Sequence, residues 1–227
     1  MIALRVQPVP PRVYHHSMAS TEMSDGGDRV SDPRSTPTVD GRLLRGERSR
    51  QAIAEAMIAL VETGNQRPTA RAIAERAGVS LRLVFHHFDD VEAVFEAAGK
   101  LQHDRHWRSL RAPDPALPLA ARIEALCRQR RKLFEEISAV RRTAYARAGR
   151  SPALARVLAD TREELRAGVA ATFAPELDRA GADAPGLLDR LDVAAGWETW
   201  DTLRDRLSRS RDTAEQTVRR LLSDLLD

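Results

Sequence analysis

A short polar stretch in the first half of the chain carries side chains that could recognise DNA. Between Ser80 and Phe88 the residues are LRLVFHH, which include Arg82, His86 and His87. An arginine fork donates two parallel hydrogen bonds, which fits a phosphate or the O6 and N7 acceptors of guanine. We favour DNA contact over simple solvation for Arg82. For the two histidines, phosphate contact and a structural role stay equally open.

The elements that must position this stretch are two short helices joined by a tight turn. Thr69 is the predicted N-cap of the first helix, and Gly78 ends that helix with a residue that tolerates a positive φ. Ser80 is the predicted N-cap of the second helix, and the small Ala74 lets the two helices approach closely. Such a pair is typical of a helix-turn-helix, whose second helix enters a major groove about 12 Å wide.

Three runs of residues extend this pattern along the chain. The runs are IAERAGVS at 73–80, FHHF at 85–88 and EAV at 92–94. With the spacing from Gly64 through Thr69 to Phe88, they resemble the TetR family of bacterial regulators over residues 45–100. The resemblance implies an all-α protein, with an N-terminal three-helix DNA-binding domain and a C-terminal helical bundle for ligand binding and dimerisation.

The contact positions depart from the pattern of that family. Arg82 and Leu83 stand where the family often has Gly-Thr, and Phe85 replaces a tyrosine whose hydroxyl commonly holds a phosphate. Val91 replaces a lysine that often makes another phosphate contact. The resemblance therefore implies that two usual contacts are missing and that Arg82 and His86 supply others, at a nonstandard operator or with weaker binding. The predicted DNA-binding residues are Arg45, Thr69, Ser80, Leu81, Arg82, Leu83, Phe85, His86 and His87.

The first 40 residues differ in composition from the rest of the chain. Prolines alternate there with Ser, Thr, Asp and Gly, and no helical or strand period runs through them. Because such a segment buries too little apolar surface to offset its ordering entropy, we predict a disordered arm over residues 1–40. Basic residues follow at Arg42, Arg45, Arg48 and Arg50. DNA contact by this arm and a solvated tail both stay open.

Beyond Gly41 every strong pattern is helical. Apolar residues recur at three- and four-residue spacing to the end of the sequence, so we expect about nine helices and no strand. Asp212 and Glu215 form a predicted capping box at the start of the last helix. These patterns predict an all-α fold with a helix-turn-helix DNA-binding domain at residues 41–90 and a helical domain at residues 91–227. The resemblance implies that the second domain binds an effector and forms the dimer.

The second of these domains has two sets of candidate functional residues. The resemblance implies a small-molecule pocket, for which the aromatic candidates are Phe134, Tyr145, Phe173 and Trp197. It also implies a dimer formed by the last two long helices, for which the candidate contacts are Trp200, Leu203, Val218, Leu222 and Leu225. For the two tryptophans, dimer contact, pocket lining and core packing all stay open.

Arginines on the predicted middle helices bear on the chemistry of an effector. They are Arg128, Arg130, Arg131, Arg141, Arg142 and Arg147. We expect most of them to face solvent, whereas any that point inward would favour an anionic effector.

Other reactive residue types give weaker signals. His103 and His106 share a helix face, but no third metal ligand follows at helical spacing, so we expect solvated histidines. The single cysteine, Cys127, excludes an intramolecular disulfide and a multi-cysteine zinc site, and we expect it to pack in the interior. The sequence has no nucleophile with an adjacent base, no phosphate loop and no His/Glu metal pattern, so we expect no enzyme and no cofactor.

Composition sets the remaining expectations. Of the 227 residues 42% are hydrophobic and 30% are charged, with a formal net charge of +3, which is ordinary for a globular protein. No apolar run is long enough to span a bilayer, and no signal peptide is evident. We therefore expect a cytoplasmic protein without a membrane partner.

The combined patterns predict a TetR-type DNA-binding transcriptional regulator. We expect a homodimer that represses from a palindromic double-stranded DNA operator and that a small-molecule effector releases. One alternative is an orphan DNA-binding regulator without a small ligand, which a structure without an enclosed cavity would favour. The other alternative is an all-helical enzyme.

Overall fold

The computed structural model describes residues 38–107 and 110–227. Within them the chain forms α-helices and no strand, which confirms the predicted all-α fold. The helices are α1 Thr38–Glu62, α2 Ala70–Ala77, α3 Leu81–His87, α4 Val91–Trp107, α5 Leu119–Ala148, α6 Pro152–Thr172, α7 Ala174–Ala180, α8 Ala184–Ala195, α9 Trp197–Asp201 and α10 Arg211–Leu226. A 3-10 turn at Gly181–Asp183 joins α7 to α8, and a π-helical turn at Thr202–Arg206 continues α9. None of these described helices is both long and apolar enough to cross a membrane.

Most of the predicted disordered arm lies outside the described residues. Residues 1–37 are not among them, so the prediction for that segment stays a prediction. Helix α1 begins at Thr38. The last three residues assigned to the arm are therefore helical.

The first four helices surround one hydrophobic core, here called the first core. Ile53, Met57 and Val61 of α1 recur at four-residue spacing and are buried, as the apolar period predicts. The other helices contribute Ile73, Ala74, Val84, Phe88, Val94, Phe95 and Ala98, and α5 contributes Val140. Because three of these residues lie on α4, the first core runs past residue 90 into the first half of that helix.

A second core holds the C-terminal helices together. Its buried members include Leu126, Phe134, Phe173, Leu191 and Trp200. Cys127 also lies there, and burial raises the pKa of its thiol to about 12. The predicted interior position of this cysteine is confirmed, and the thiol stays protonated at neutral pH.

Both tryptophans of α9 face α5. Trp197 Nε1 donates a hydrogen bond to Ser138 Oγ at 3.0 Å. Trp200 Nε1 donates to Glu135 Oε1 at 3.1 Å. Since both indoles are buried, core packing is the role that the fold assigns to them among the three left open.

Four of the five predicted dimer contacts are buried within one chain. Trp200, Leu203, Val218 and Leu222 belong to the second core. They offer little surface to a partner, which argues against a role in a dimer, and as dimer contacts they stay a prediction. The apolar stripe of α10 is covered instead by α5 and α8 of the same chain. Leu225 is partly exposed and stays a prediction.

The last helix begins earlier than its predicted capping box. Ser210 is the N-cap, and its Oγ accepts a hydrogen bond from the Thr213 N–H at 3.1 Å. Asp212 and Glu215 instead accept hydrogen bonds from Arg131 Nη1, at 2.6 and 2.8 Å. The two carboxylates therefore tie α10 to α5 rather than capping the helix together.

Candidate nucleic-acid interface and cavity

The turn between α2 and α3 is built by the three residues predicted for it. Thr69 Oγ1 accepts a hydrogen bond from the Ala72 N–H at 3.2 Å and so caps α2. Ser80 Oγ accepts one from the Leu83 N–H at 3.2 Å and so caps α3. Gly78 has φ 67° and ψ 31°, in the left-handed region. The predicted caps and turn are confirmed, and they determine the direction in which α3 leaves the turn.

Replacing Gly78 with alanine is expected to destabilise the fold by about 1–2 kcal/mol, because its backbone is left-handed. A Cβ at Gly78 would meet no atom within 4 Å, so crowding adds nothing to this penalty. Gly149 is the matched control, since its surroundings are equally open but its φ is −64°. Gly149→Ala is expected to be neutral or to stabilise by up to about 1 kcal/mol. Urea unfolding followed by circular dichroism measures both, and equal effects would contradict backbone strain as the cause.

Helix α3 has a buried face and an exposed face. Val84 and Phe88 are buried in the first core and hold α3 against the neighbouring helices. On the opposite face, Phe85 exposes 50% of its surface. The predicted DNA-binding residues of α3 divide accordingly into exposed Leu81, Arg82, Phe85 and His86 and half-buried Leu83 and His87.

Arg50 of α1 braces the end of α3. Its Nη1 donates to the His87 carbonyl at 2.8 Å, and its guanidinium carbon lies 4.4 Å from the centre of the Phe88 ring. Burial lowers the pKa of His87, and the charges of His86 and Arg50 act in the same direction. His87 is therefore held mainly neutral at pH 7, which favours its structural role. Sequence analysis identifies Arg50 only as part of a basic cluster, because a contact across 37 residues leaves no local pattern.

The other predicted contact residues lie at exposed positions around α3. Arg45 is exposed on α1, and Thr69 and Ser80 are exposed at the two helix starts. The two hydroxyls accept backbone hydrogen bonds, which leaves their hydrogens for a phosphate oxygen. No carboxylate whose side chain the structure describes forms an ion pair with Arg82. Its guanidinium group is therefore available to an anionic partner.

The residues that build this interface match a known protein family. Residues 52–98, which run from α1 into α4, match the model described as bacterial regulatory proteins, tetR family. These residues therefore carry a DNA-binding domain of the TetR type. The predicted resemblance is confirmed, and the chain is a TetR-type DNA-binding regulator.

Solved structures share the fold of this chain. A transcriptional regulator from Rhodococcus sp. Rha1 is 24% identical, with a TM-score of 0.59, over 80% of this chain and 95% of that one. A protein from Mesorhizobium loti MAFF303099, assigned to the TetR family, is 20% identical with a TM-score of 0.56, over 80% and 96%. The multidrug binding protein EbrR, solved with imidazole, is 23% identical with a TM-score of 0.55, over 78% and 94%. No curated protein matches this chain significantly in sequence.

The chain also has a cavity between α4, α5 and α6. Much of its wall is aliphatic, from Ile137, Val140, Leu154, Val157 and Leu158. Its polar side chains include Gln102, His103 and Arg141. The space that water can enter is about 40 Å³, room for roughly three water molecules.

The four predicted pocket aromatics do not line this cavity. Phe134 and Phe173 are buried in the second core. Tyr145 and Trp197 stack on each other with ring centres 5.2 Å apart. Their large apolar surfaces pack in or against the second core, and their role in an effector pocket stays a prediction.

The histidines of α4 face carboxylates. His103 Nε2 lies 3.8 Å from Glu164 Oε2, and His106 Nδ1 lies 3.0 Å from Glu136 Oε2. The His103 ring also stacks on Trp107 with ring centres 4.7 Å apart. In the part of the chain that the structure describes, no group of three or more His, Cys, Asp or Glu side chains could hold a metal ion. The histidines are thus paired and partly buried rather than fully solvated as predicted.

Proposed function

We propose that the chain is a dimeric TetR-type repressor whose affinity for its operator is lowered by a small-molecule effector. The observation that carries this proposal is the exposed face of α3, on which Arg82, Phe85 and His86 stand above a buried scaffold. We assign DNA binding to residues 41–90 and effector binding and dimerisation to residues 91–227. The first half of α4 belongs to the core of the DNA-binding part.

Insertion of α3 into the major groove accounts for the chemistry of its exposed face. Arg82 is the second residue of the helix, and the N-terminal residues of a recognition helix are those that contact base edges. Phe85 offers apolar contact to a thymine methyl group, and His86 offers a donor to a phosphate. In a two-fold dimer the two helices lie about 34–36 Å apart, which favours a symmetric operator.

A second copy of the chain is the proposed partner for exposed apolar residues on α8 and α10. Val193 of α8 exposes 70% of its surface, and Leu221 of α10 is also exposed. These two helices pack against each other, and the partly buried Leu188 and Leu225 lie at the edge of the second core. A symmetric contact would remove these side chains from water together.

Helix α4 is the proposed connection between the effector site and the DNA-binding part. Its first half supplies Val94, Phe95 and Ala98 to the first core. Its second half supplies Gln102 and His103 to the cavity wall. A ligand that widens the cavity must displace α4, and its higher affinity for the displaced state would shift the population away from the DNA-binding arrangement.

Selection of binding sites from random double-stranded DNA with the full chain tests this function. We expect a two-fold symmetric motif to be enriched. A selection that enriches no symmetric motif would contradict operator recognition by a dimer.

Val193→Glu is expected to weaken self-association of the full chain by tenfold or more, because burying an unpaired charge costs several kcal/mol. Sedimentation velocity across a dilution series measures the effect. The control is Leu117→Glu, which makes a similar change at an exposed leucine between α4 and α5. Unchanged association of Val193→Glu, or an equal loss with Leu117→Glu, would contradict the proposed dimer face.

A further inference from the structure

Two arginines of α5 are buried without a carboxylate partner. Arg130 exposes 4% of its surface and Arg141 exposes 5%. Among the described residues, no carboxylate forms an ion pair with either guanidinium. The neighbouring arginines that do pair with carboxylates are Arg128, Arg131, Arg142 and Arg147. Because a buried charge without a counter-ion is strongly unfavourable, this part of the interior favours an added negative charge.

Arg141 brings this charge to the wall of the cavity. Its Nε–H has no hydrogen-bond partner, and its Nη2 makes only a long bond of 3.5 Å to Tyr145 Oη. The guanidinium carbon lies 5.5 Å from the centre of the Tyr145 ring and 5.3 Å from that of Trp197. These rings stabilise a cation but leave most of the five guanidinium N–H donors unused.

Arg130 adds to the positive potential at this place. Its Nη2 donates to the Leu165 carbonyl at 2.7 Å, but its Nε–H has no partner. Burial lowers the pKa of Arg130 to about 10, with the charge of Asp192 opposing this effect and that of Arg141 adding to it. An anion beside Arg141 would therefore stabilise both guanidinium groups.

Two other polar side chains of the wall, Gln102 and His103, face groups of the protein. Gln102 Nε2 donates to the Glu136 carbonyl at 3.4 Å. His103 Nε2 lies 3.8 Å from Glu164 Oε2, so its ring faces a carboxylate. Arg141 is thus a cation in this wall with a buried, unused donor, and the wall is otherwise largely aliphatic.

We propose that this cavity binds an organic anion, with a carboxylate held by Arg141 and an apolar body packed against the aliphatic side chains of α5 and α6. The proposal rests on the proposed effector role and names the chemical class of the effector. A carboxylate accepts two parallel hydrogen bonds from a guanidinium. Because a space of about 40 Å³ is smaller than an organic acid, α4 moves away from α5 and α6 when the anion enters.

Thermal unfolding of the full chain with matched probes tests the requirement for charge. The probes are benzoate, hexanoate and dodecanoate, each compared with its primary amide at the same concentration. We expect at least one carboxylate to raise Tm more than its amide does, because a ligand that binds only the folded chain stabilises it. If no carboxylate exceeds its amide, the proposal is overturned.

Arg141→Met tests the assigned residue, and Arg128→Met, at an exposed site on the same helix, is its matched control. By calorimetric titration, Arg141→Met is expected to weaken carboxylate binding about 10- to 100-fold, and Arg128→Met by less than about twofold. Without ligand, Arg141→Met should unfold at a temperature equal to or above that of the unsubstituted chain, since it removes an uncompensated buried charge. Undiminished carboxylate binding by Arg141→Met, or a Tm well below that of Arg128→Met, would overturn the assignment.

The experiments distinguish failure of the proposed function from failure of the anion site. If the chain binds carboxylates through Arg141 but selects no symmetric DNA motif, the anion site is supported and the proposed function is contradicted. A symmetric motif together with equal effects of carboxylates and amides would support operator recognition and overturn the anion site.

Discussion

Replacing Arg122 with methionine is expected to lower the free energy of unfolding by about 3–5 kcal/mol. Arg122 is buried in the first turn of α5, where its Nη1 and Nη2 donate to the two carboxylate oxygens of Glu176 at 2.6 and 2.8 Å. Removing the guanidinium leaves a buried carboxylate whose remaining ion pair is with Arg179. An uncompensated buried charge accounts for most of the expected loss.

Arg122 also satisfies two backbone carbonyls. Its Nε donates to the Leu117 carbonyl and its Nη1 to the Thr172 carbonyl, both at 2.9 Å. Thr172 ends α6, and the last carbonyls of a helix have no partner within it. One side chain therefore joins the start of α5 to the end of α6 and to α7, and methionine replaces none of these bonds.

The effect of Arg122→Met should depend on pH. The hydrogen bonds from Arg122 hold the pKa of Glu176 below its ordinary value, against the effect of burial. Because the folded pKa is the lower one, the pair stabilises the fold fully above the unfolded pKa of about 4.3 and loses this contribution as pH falls through the folded pKa. Urea unfolding of the unsubstituted chain and of Arg122→Met at pH 7 and at pH 4 measures this dependence. The difference in the free energy of unfolding between them is expected to shrink at the lower pH.

Two further variants separate burial from charge pairing. Arg128→Met removes an arginine from the exposed pair with Glu124 and is expected to change the free energy of unfolding by at most about 1 kcal/mol. Adding Glu176→Met to Arg122→Met removes the uncompensated carboxylate and should restore part of the lost stability. Equal losses for Arg122→Met and Arg128→Met would contradict the importance of burial.

The helix-turn-helix could be predicted from the sequence because its determinants are local. Thr69, Gly78 and Ser80 act within three residues of their own positions, through caps and a left-handed turn. Val84 and Phe88 follow a helical period that identifies the buried side of α3. Arg50 could not be found in this way, because its partners lie far along the chain.

The C-terminal sites were harder to predict because an apolar pattern does not say what covers it. Val218 and Leu222 lie on the apolar face of α10, but helices of the same chain cover that face rather than a partner. The arginines raise the same difficulty. Arg130 and Arg141 share the buried side of α5 and Arg128 lies on the exposed side, but a helical period alone does not say that an arginine on the apolar side is buried. Only the packing of α4 and α6 against α5 decides which of them meets the cavity.

Replacing Arg82 with glutamate is expected to weaken binding to the selected operator by about 100-fold or more. Loss of a bidentate base contact costs about 1–3 kcal/mol, and the new carboxylate is repelled by the phosphates. Arg82 is exposed and has no carboxylate partner among the described residues, so the variant should keep the stability of the unsubstituted chain. Fluorescence anisotropy with labelled operator measures affinity, and urea unfolding checks the fold.

The matched control is Arg156→Glu, which makes the same charge change at an exposed position on α6. It is expected to change operator affinity by less than about threefold, because it alters net charge far from the recognition helix. If Arg82→Glu binds the operator as tightly as Arg156→Glu does, the placement of α3 in the groove is contradicted.

Arg82→Ala then decides which part of the DNA this side chain contacts. If Arg82 reads a guanine, the alanine variant loses preference at one base pair in each half-site and keeps most of its salt dependence. If Arg82 binds a phosphate, affinity falls about equally for all sequences, and the slope of log affinity against log salt becomes shallower by about 1 per contact. We expect the first result, because Arg82 lies at the start of α3, where side chains of a recognition helix reach base edges. A uniform loss would instead assign to Arg82 the phosphate contact that Phe85 cannot make, since that residue lacks a hydroxyl.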